Sequence, residues 1–133
     1  RWVRNCEVLV ALRLQHDIVL HMKSPAKVMQ TPQEFLEFFE AIPEDQWTNS
    51  VLFREEGTRC ALGHLGVRSY LPENNDAVVI HNVNILSGLL RGEENHNFDT
   101  SVQIVWRVND SNQAPPKTNM LNALRRKKSK ENN

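Results

Sequence analysis

Apolar side chains fall at helical spacing in three separate stretches of the chain. Phe35, Leu36, Phe38, Phe39 and Ile42 follow Thr31-Pro32-Gln33-Glu34. That tetrad offers an N-cap hydroxyl, a proline at the first helical position and a glutamate able to bond back to the cap. Pro43 closes this helix, and a short helical turn is expected at Glu44-Asp45-Gln46-Trp47. Val79, Val83, Leu86 and Leu90 recur at i, i+4, i+7 and i+11, with Asn75 or Asp76 as cap and Gly92 as the terminating residue. Met120, Leu121 and Leu124 define a last helix from Thr118 to about Lys128, whose final cations suit the negative end of its dipole.

Other stretches read less regularly. Cys60-Ala61-Leu62-Gly63-His64-Leu65-Gly66 reads as a helix that begins after Thr58 or Arg59 and runs to about Tyr70, before Pro72. Glycine costs roughly 1 kcal/mol relative to alanine inside a helix, so Gly63 and Gly66 imply that something, Trp47 or a neighbouring helix, packs close to this backbone. Val51-Leu52-Phe53 is short and extended or irregular, and Glu56-Gly57 is a turn. Val102, Ile104, Trp106 and Val108 alternate and are mostly β-branched, so propensity favours a strand; a helix capped by Thr100 or Ser101 is the rival. In Arg1 to His21 strand alternation at Val8, Val10, Leu12 and Leu14 competes with helical spacing at Leu14, Ile18 and Met22, and helix is the reading adopted.

The resulting expectation is a mainly α protein: a compact bundle of four or five short helices with at most one short extended segment. Residues 1–21 read as a dispensable N-terminal extension, 22–128 as a single helical domain and 129–133 as a polar tail.

Composition narrows the function classes. Sixteen Lys and Arg balance sixteen Asp and Glu, so the whole molecule has no net field to steer it to nucleic acid or membrane. The cations do concentrate at Arg125, Arg126, Lys127, Lys128 and Lys130, which keeps a nucleic-acid-binding accessory protein among the alternatives. Two cysteines make no disulfide framework, and a reducing cytoplasm is the expected setting. No run is apolar enough to span a membrane. The histidines, cysteines and acids match no standard metal spacing and the glycines form no phosphate loop, so no metal or cofactor is expected.

Four landmarks stand in order: Trp47, Cys60-Ala-Leu-Gly, Asn109-Asp110, and a closing helix with Thr118, Leu121 and Leu124. In this the chain, from about Met22 to Lys128, resembles small uncharacterised phage, prophage and bacterial proteins. The resemblance implies a compact α-rich fold and brings no reaction.

The candidate chemistry centres on Cys60. Cys60 and His64 lie at i and i+4, one helical turn apart on one face. A thiol at a helix N-terminus is acidified, an imidazole can take its proton, and Asp110 can orient the imidazole: the logic of a cysteine-dependent hydrolase or transferase, with His81 as the alternative base. The competing reading makes Cys60 a small buried residue packed against Trp47, because free cysteine is among the most buried residue types. Asn109 and Asp110 are then turn residues or part of a binding site with Trp47 and Arg59. On balance the sequence favours a small accessory protein of a phage or bacterial cytoplasm, acting by binding a protein or small molecule, over an enzyme.

Overall fold

A computed structural model describes residues 27–92 and 97–132. The expectations for residues 1–21, for a domain start at Met22 and for most of the loop after Gly92 lie outside these residues. Among these residues five α-helices follow one another: α1 (Pro32–Glu40), α2 (Ala61–His64), α3 (Ala77–Arg91), α4 (Phe98–Asn109) and α5 (Pro116–Asn132). Single 3₁₀ turns occupy Glu44–Gln46 and Pro72–Asn74. The described residues contain no strand, so the helical bundle expected from the sequence is what forms. α3 lies along α4, and α5 packs against α1, α3 and α4.

The capping box of α1 forms as its residues dictate. The Glu34 N–H donates to Thr31 Oγ1 at 3.2 Å, and Glu34 Oε1 accepts from the Thr31 N–H at 3.1 Å. Phe35, Leu36 and Phe39 are buried on the inward face. They meet Val79, Val83 and Leu86 of α3 and Met120, Leu121 and Leu124 of α5 in one core. Gly92 ends α3 in the left-handed region, at φ 74°, as its position predicts. α5 starts two residues before the expected Thr118 and continues to Asn132, so residues 129–132 prolong the helix rather than forming a separate tail.

Two readings need correction. The stretch from Ser101 to Val108 is helix, not strand, and its cap is Asn97, whose side chain accepts from the Thr100 N–H at 2.8 Å. Its buried residues, Phe98, Ser101, Val102, Ile104, Val105 and Asn109, follow the 3.6-residue period. β-branched residues lose only some tenths of a kcal/mol each in a helix, which a packed face outweighs. Trp106, which alternation groups with Ile104, is 40% exposed, whereas Ile104 is buried.

The helix at Cys60 is also far shorter than expected. Gly66 adopts φ 102°, its N–H donates to Gly63 O at 3.0 Å, and the Val67 N–H donates to Leu62 O at 3.0 Å. This Schellman pair stops α2 after one turn. The close approach inferred at Gly63 is real, but its source is neither Trp47 nor a helix: a Cβ there would stand 2.2 Å from the backbone oxygen of Leu52. Leu52 O also accepts the Cys60 N–H at 3.2 Å, so the loop backbone lies directly on α2.

Gly63→Ala is therefore expected to cost more than about 2 kcal/mol, because backbone must move to admit one methyl. Thr31→Ala is expected to cost about 1 kcal/mol through its lost cap. Denaturant titration of both variants checks the ranking; a milder Gly63→Ala would mean that the Leu52 strap yields freely.

Candidate functional site

The loop from Trp47 to Cys60 is pinned to α2 and to the end of α4 by side chains of the Asn109-Asp110 pair. Asn109, 1% exposed, accepts the Ala61 N–H on Oδ1 at 3.0 Å. Its Nδ2 donates to Thr48 O at 3.1 Å and to Asp110 Oδ1 at 2.8 Å. Asp110 takes the Ser50 N–H between its two oxygens, at 3.1 and 3.0 Å, and the Trp106 indole N–H on Oδ2. Ser50 holds φ 71°, a left-handed conformation that a serine adopts at a cost, and the Asp110 carboxylate fixes it there. Asn119 reaches back from α5, its Nδ2 donating to Asn109 O at 3.3 Å and to Ser111 O and Ala114 O at 2.8 Å each.

Cys60 is the N-cap residue of α2, a free thiol 3% exposed. Burial raises its pKa, with Asp110 adding to the rise; backbone N–H groups of Gly63 and Leu62 oppose it without reversing it. The helix terminus that was to acidify the thiol is outweighed by desolvation. His64 is the last residue of α2. Its ring packs on Trp47 with centroids 4.9 Å apart, and its Nε2 lies 3.0 Å from Gln46 O. A carbonyl only accepts, so this bond keeps the proton of the neutral ring on Nε2. Burial pushes the His64 pKa down to about 4, aided by the charge of Arg59.

The sequence-predicted residues thus gather in one region, with bonds that differ from the expected ones. Asp110 engages Ser50, Trp106 and Asn109 rather than His64. Trp47 packs on Phe39 and His64 and donates its indole N–H to Ile42 O at 3.3 Å. Arg59 contributes its backbone to the loop, its N–H donating to Gln46 O and its oxygen accepting from the Thr48 N–H, both at 2.9 Å, while burial lowers its side-chain pKa. His81 stands on α3 with its Nε2 buried and unpartnered. Sequence reasoning passed over Ser50, Asn82, Trp106 and Asn119. Asn82 was the most findable: a fully buried amide between Val79 and Val83, it takes the Met29 N–H at 2.8 Å and donates to Lys27 O at 3.2 Å.

Among the described residues no three His, Cys, Asp or Glu side chains are grouped to hold a metal, and no helix is long and apolar enough to cross a membrane. Two of the terminal cations bond to α1: Arg125 to Glu40 at 2.7 Å and Lys128 to Gln33. Comparison with protein-family models, with curated proteins and with solved structures returns no match.

The pH dependence of stability follows from His64. The folded state binds its proton only near pH 4, whereas an unfolded histidine binds it near 6.5. Stability is therefore complete above the unfolded value and declines as pH falls from 6.5 towards 4, by on the order of 2–3 kcal/mol. His64→Gln, which retains a donor for Gln46 O, is expected to flatten this decline in denaturant titrations across that range. Parallel wild-type and variant curves would show that the acid sensitivity arises elsewhere.

Proposed function

We propose that this chain is a small accessory protein that acts by binding a protein partner, through an apolar surface gathered around the Ser50–Asp110 junction. One observation carries the reading. Exposed large apolar side chains among the described residues are Val28 at 39%, Val51 at 38%, Phe53 at 62%, Tyr70 at 46%, Leu71 at 54% and Trp106 at 40%. Val51 adjoins Ser50, whose N–H meets the carboxylate that also takes the Trp106 indole. Phe53 is bridged to Arg59, next to Cys60. Tyr70 is near enough to Asp110 and Cys60 for their charges to raise its hydroxyl pKa, behind burial as the larger cause. Apolar side chains clustered on a surface, rather than scattered singly, mark an interaction site.

The chemistry of the same region supports binding over the cysteine-dependent hydrolase or transferase. A nucleophilic thiol needs thiolate character, access and a base. Cys60 is buried with a raised pKa, and His64 has its Nε2 proton engaged by Gln46 O. The order Trp47, Cys60-Ala-Leu-Gly, Asn109-Asp110 supports a phage or bacterial origin, and the free thiol suits a reducing cytoplasm.

The test is a random peptide library panned on the full chain and on a Phe53→Ser/Leu71→Ser variant, whose exposed substitutions should leave folding intact. Enriched peptides are expected to bind the variant at least about tenfold more weakly, a loss of 1.4 kcal/mol. Equal binding to the variant, or no enrichment, would refute the surface. Iodoacetamide is expected to label native Cys60 far more slowly than unfolded Cys60; fast native labelling abolished by His64→Ala would instead favour the enzyme.

A further inference from the structure

The geometry points to Trp106 and Asp110 as a recognition point for an arginine side chain presented by a protein partner; the inference rests on the reading of this face as a binding surface. Trp106 and Asp110 are four residues apart at the end of α4, on one side of the helix. The bond from the indole N–H to Asp110 Oδ2 fixes the ring beside the carboxylate while the residue stays partly exposed. An indole beside a negative charge is a favourable seat for a cation, because the ring face carries the negative part of its quadrupole.

Three features set the sign and the kind of ligand. Among the described residues, every donor on the carboxylate is neutral: a backbone N–H from Ser50, an indole N–H and the Asn109 amide. These dipoles hold the charge in position without neutralising it. The carboxylate also stands at the C-terminal end of a 12-residue helix, where the backbone already presents partial negative charge and a cation is the favoured partner. Arg107, the basic residue of that last turn, is exposed and among the described residues forms no ion pair with the carboxylate.

The bonding of Asp110 selects arginine over lysine. An ionised carboxylate has about four acceptor positions. Here Oδ1 accepts from Ser50 and Asn109, and Oδ2 from Ser50 and Trp106. The site therefore offers a ligand charge and an aromatic face, with little acceptor capacity left. An ammonium is compact and strongly hydrated and loses more when it gives up water without acceptors; a guanidinium is weakly hydrated and stacks flat on an aromatic ring.

The experiment titrates the full chain with the peptide acetyl-Gly-Arg-Gly-amide and with its citrulline and lysine counterparts, following the indole N–H resonances by NMR. The arginine peptide is expected to shift the Trp106 signal saturably, with the neutral, isosteric citrulline peptide binding about fivefold or more weakly and the lysine peptide in between. The Trp47 indole, bonded to Ile42 O inside the fold, should not move and reports integrity. Asp110→Asn, which keeps an acceptor for Ser50, is expected to lower affinity for the arginine peptide about threefold to tenfold while leaving the Trp47 signal in place. Equal shifts with arginine and citrulline, or none with either, would overturn the inference. Library peptides that still bind the Phe53-Leu71 surface in that case would leave the binding-module reading standing; their absence as well would remove both.

Discussion

The fold around the loop from Trp47 to Cys60 depends on one buried amide. Asn109, at the end of α4, holds two other backbone segments: the start of α2 at Ala61, and the loop at Thr48 and, through Asp110, at Ser50. A helix of one turn cannot persist alone, since nucleation costs more than a single hydrogen bond returns. α2 exists because Asn109 satisfies its first N–H, Leu52 O packs on Gly63, and Gly66 closes its last carbonyls. Removing the amide would leave the buried Ala61 N–H without a partner, at about 1–3 kcal/mol, and release the half-buried Thr48 carbonyl. Neither side chain in the Asn109-Asp110 pair is a mere turn former. Each replaces secondary structure for a loop that has almost none.

The same device recurs through the molecule. Asn82 holds Lys27 and Met29 to α3, Asn75 ties Arg68, Ser69 and Leu71, and Asn119 gathers Asn109, Ser111 and Ala114. Each amide presents a donor and an acceptor on one rigid plane, matching the two groups of a peptide bond. With no sheet among the described residues to pair irregular backbone, that pairing falls to asparagines projecting from helices or neighbouring turns. Ser87 and Ser101 perform a smaller version between α3 and α4, hydroxyl to hydroxyl at 3.0 Å.

This explains which parts of the fold were legible in the sequence. The α1 capping box, the α3 apolar face and its Gly92 stop, and the inward residues of α5 are local: their partners lie within four residues or follow one period. The length of α2 is not legible because its two glycines give the same signal in sequence, whereas Gly63 admits a neighbour and Gly66 is a terminator at positive φ. α4 was misread because its polar buried positions, Ser101 and Asn109, hid the helical face that Phe98, Val102 and Val105 complete. The site was legible as residue types and not as bonds. The sequence groups Asp110 with Trp47 and His64, yet the indole it accepts from is that of Trp106, four residues away on its own helix, while the Trp47 indole bonds to Ile42 O. Nothing in the sequence orders two tryptophans around one carboxylate; the choice between strand and helix at Val102–Val108 decides it.

That choice also decides the chemistry available to Cys60. Had Trp106 pointed inward on a strand, Asp110 would lack the indole donor that now fills one of its acceptor positions. As a helix, α4 brings Trp106 and Asp110 to one side and directs the carboxylate at the Ser50 N–H. His64 is meanwhile drawn to Gln46 O by the same loop that Asn109 and Asp110 hold down. Thiol, imidazole and carboxylate therefore stand near each other because they frame one strap, and each has its bonding set by that strap. The proximity of the three in sequence pattern is a consequence of fastening a loop to two helices, and what the fastening leaves outward is the aromatic face of Trp106 beside a charge that its neutral donors do not cancel.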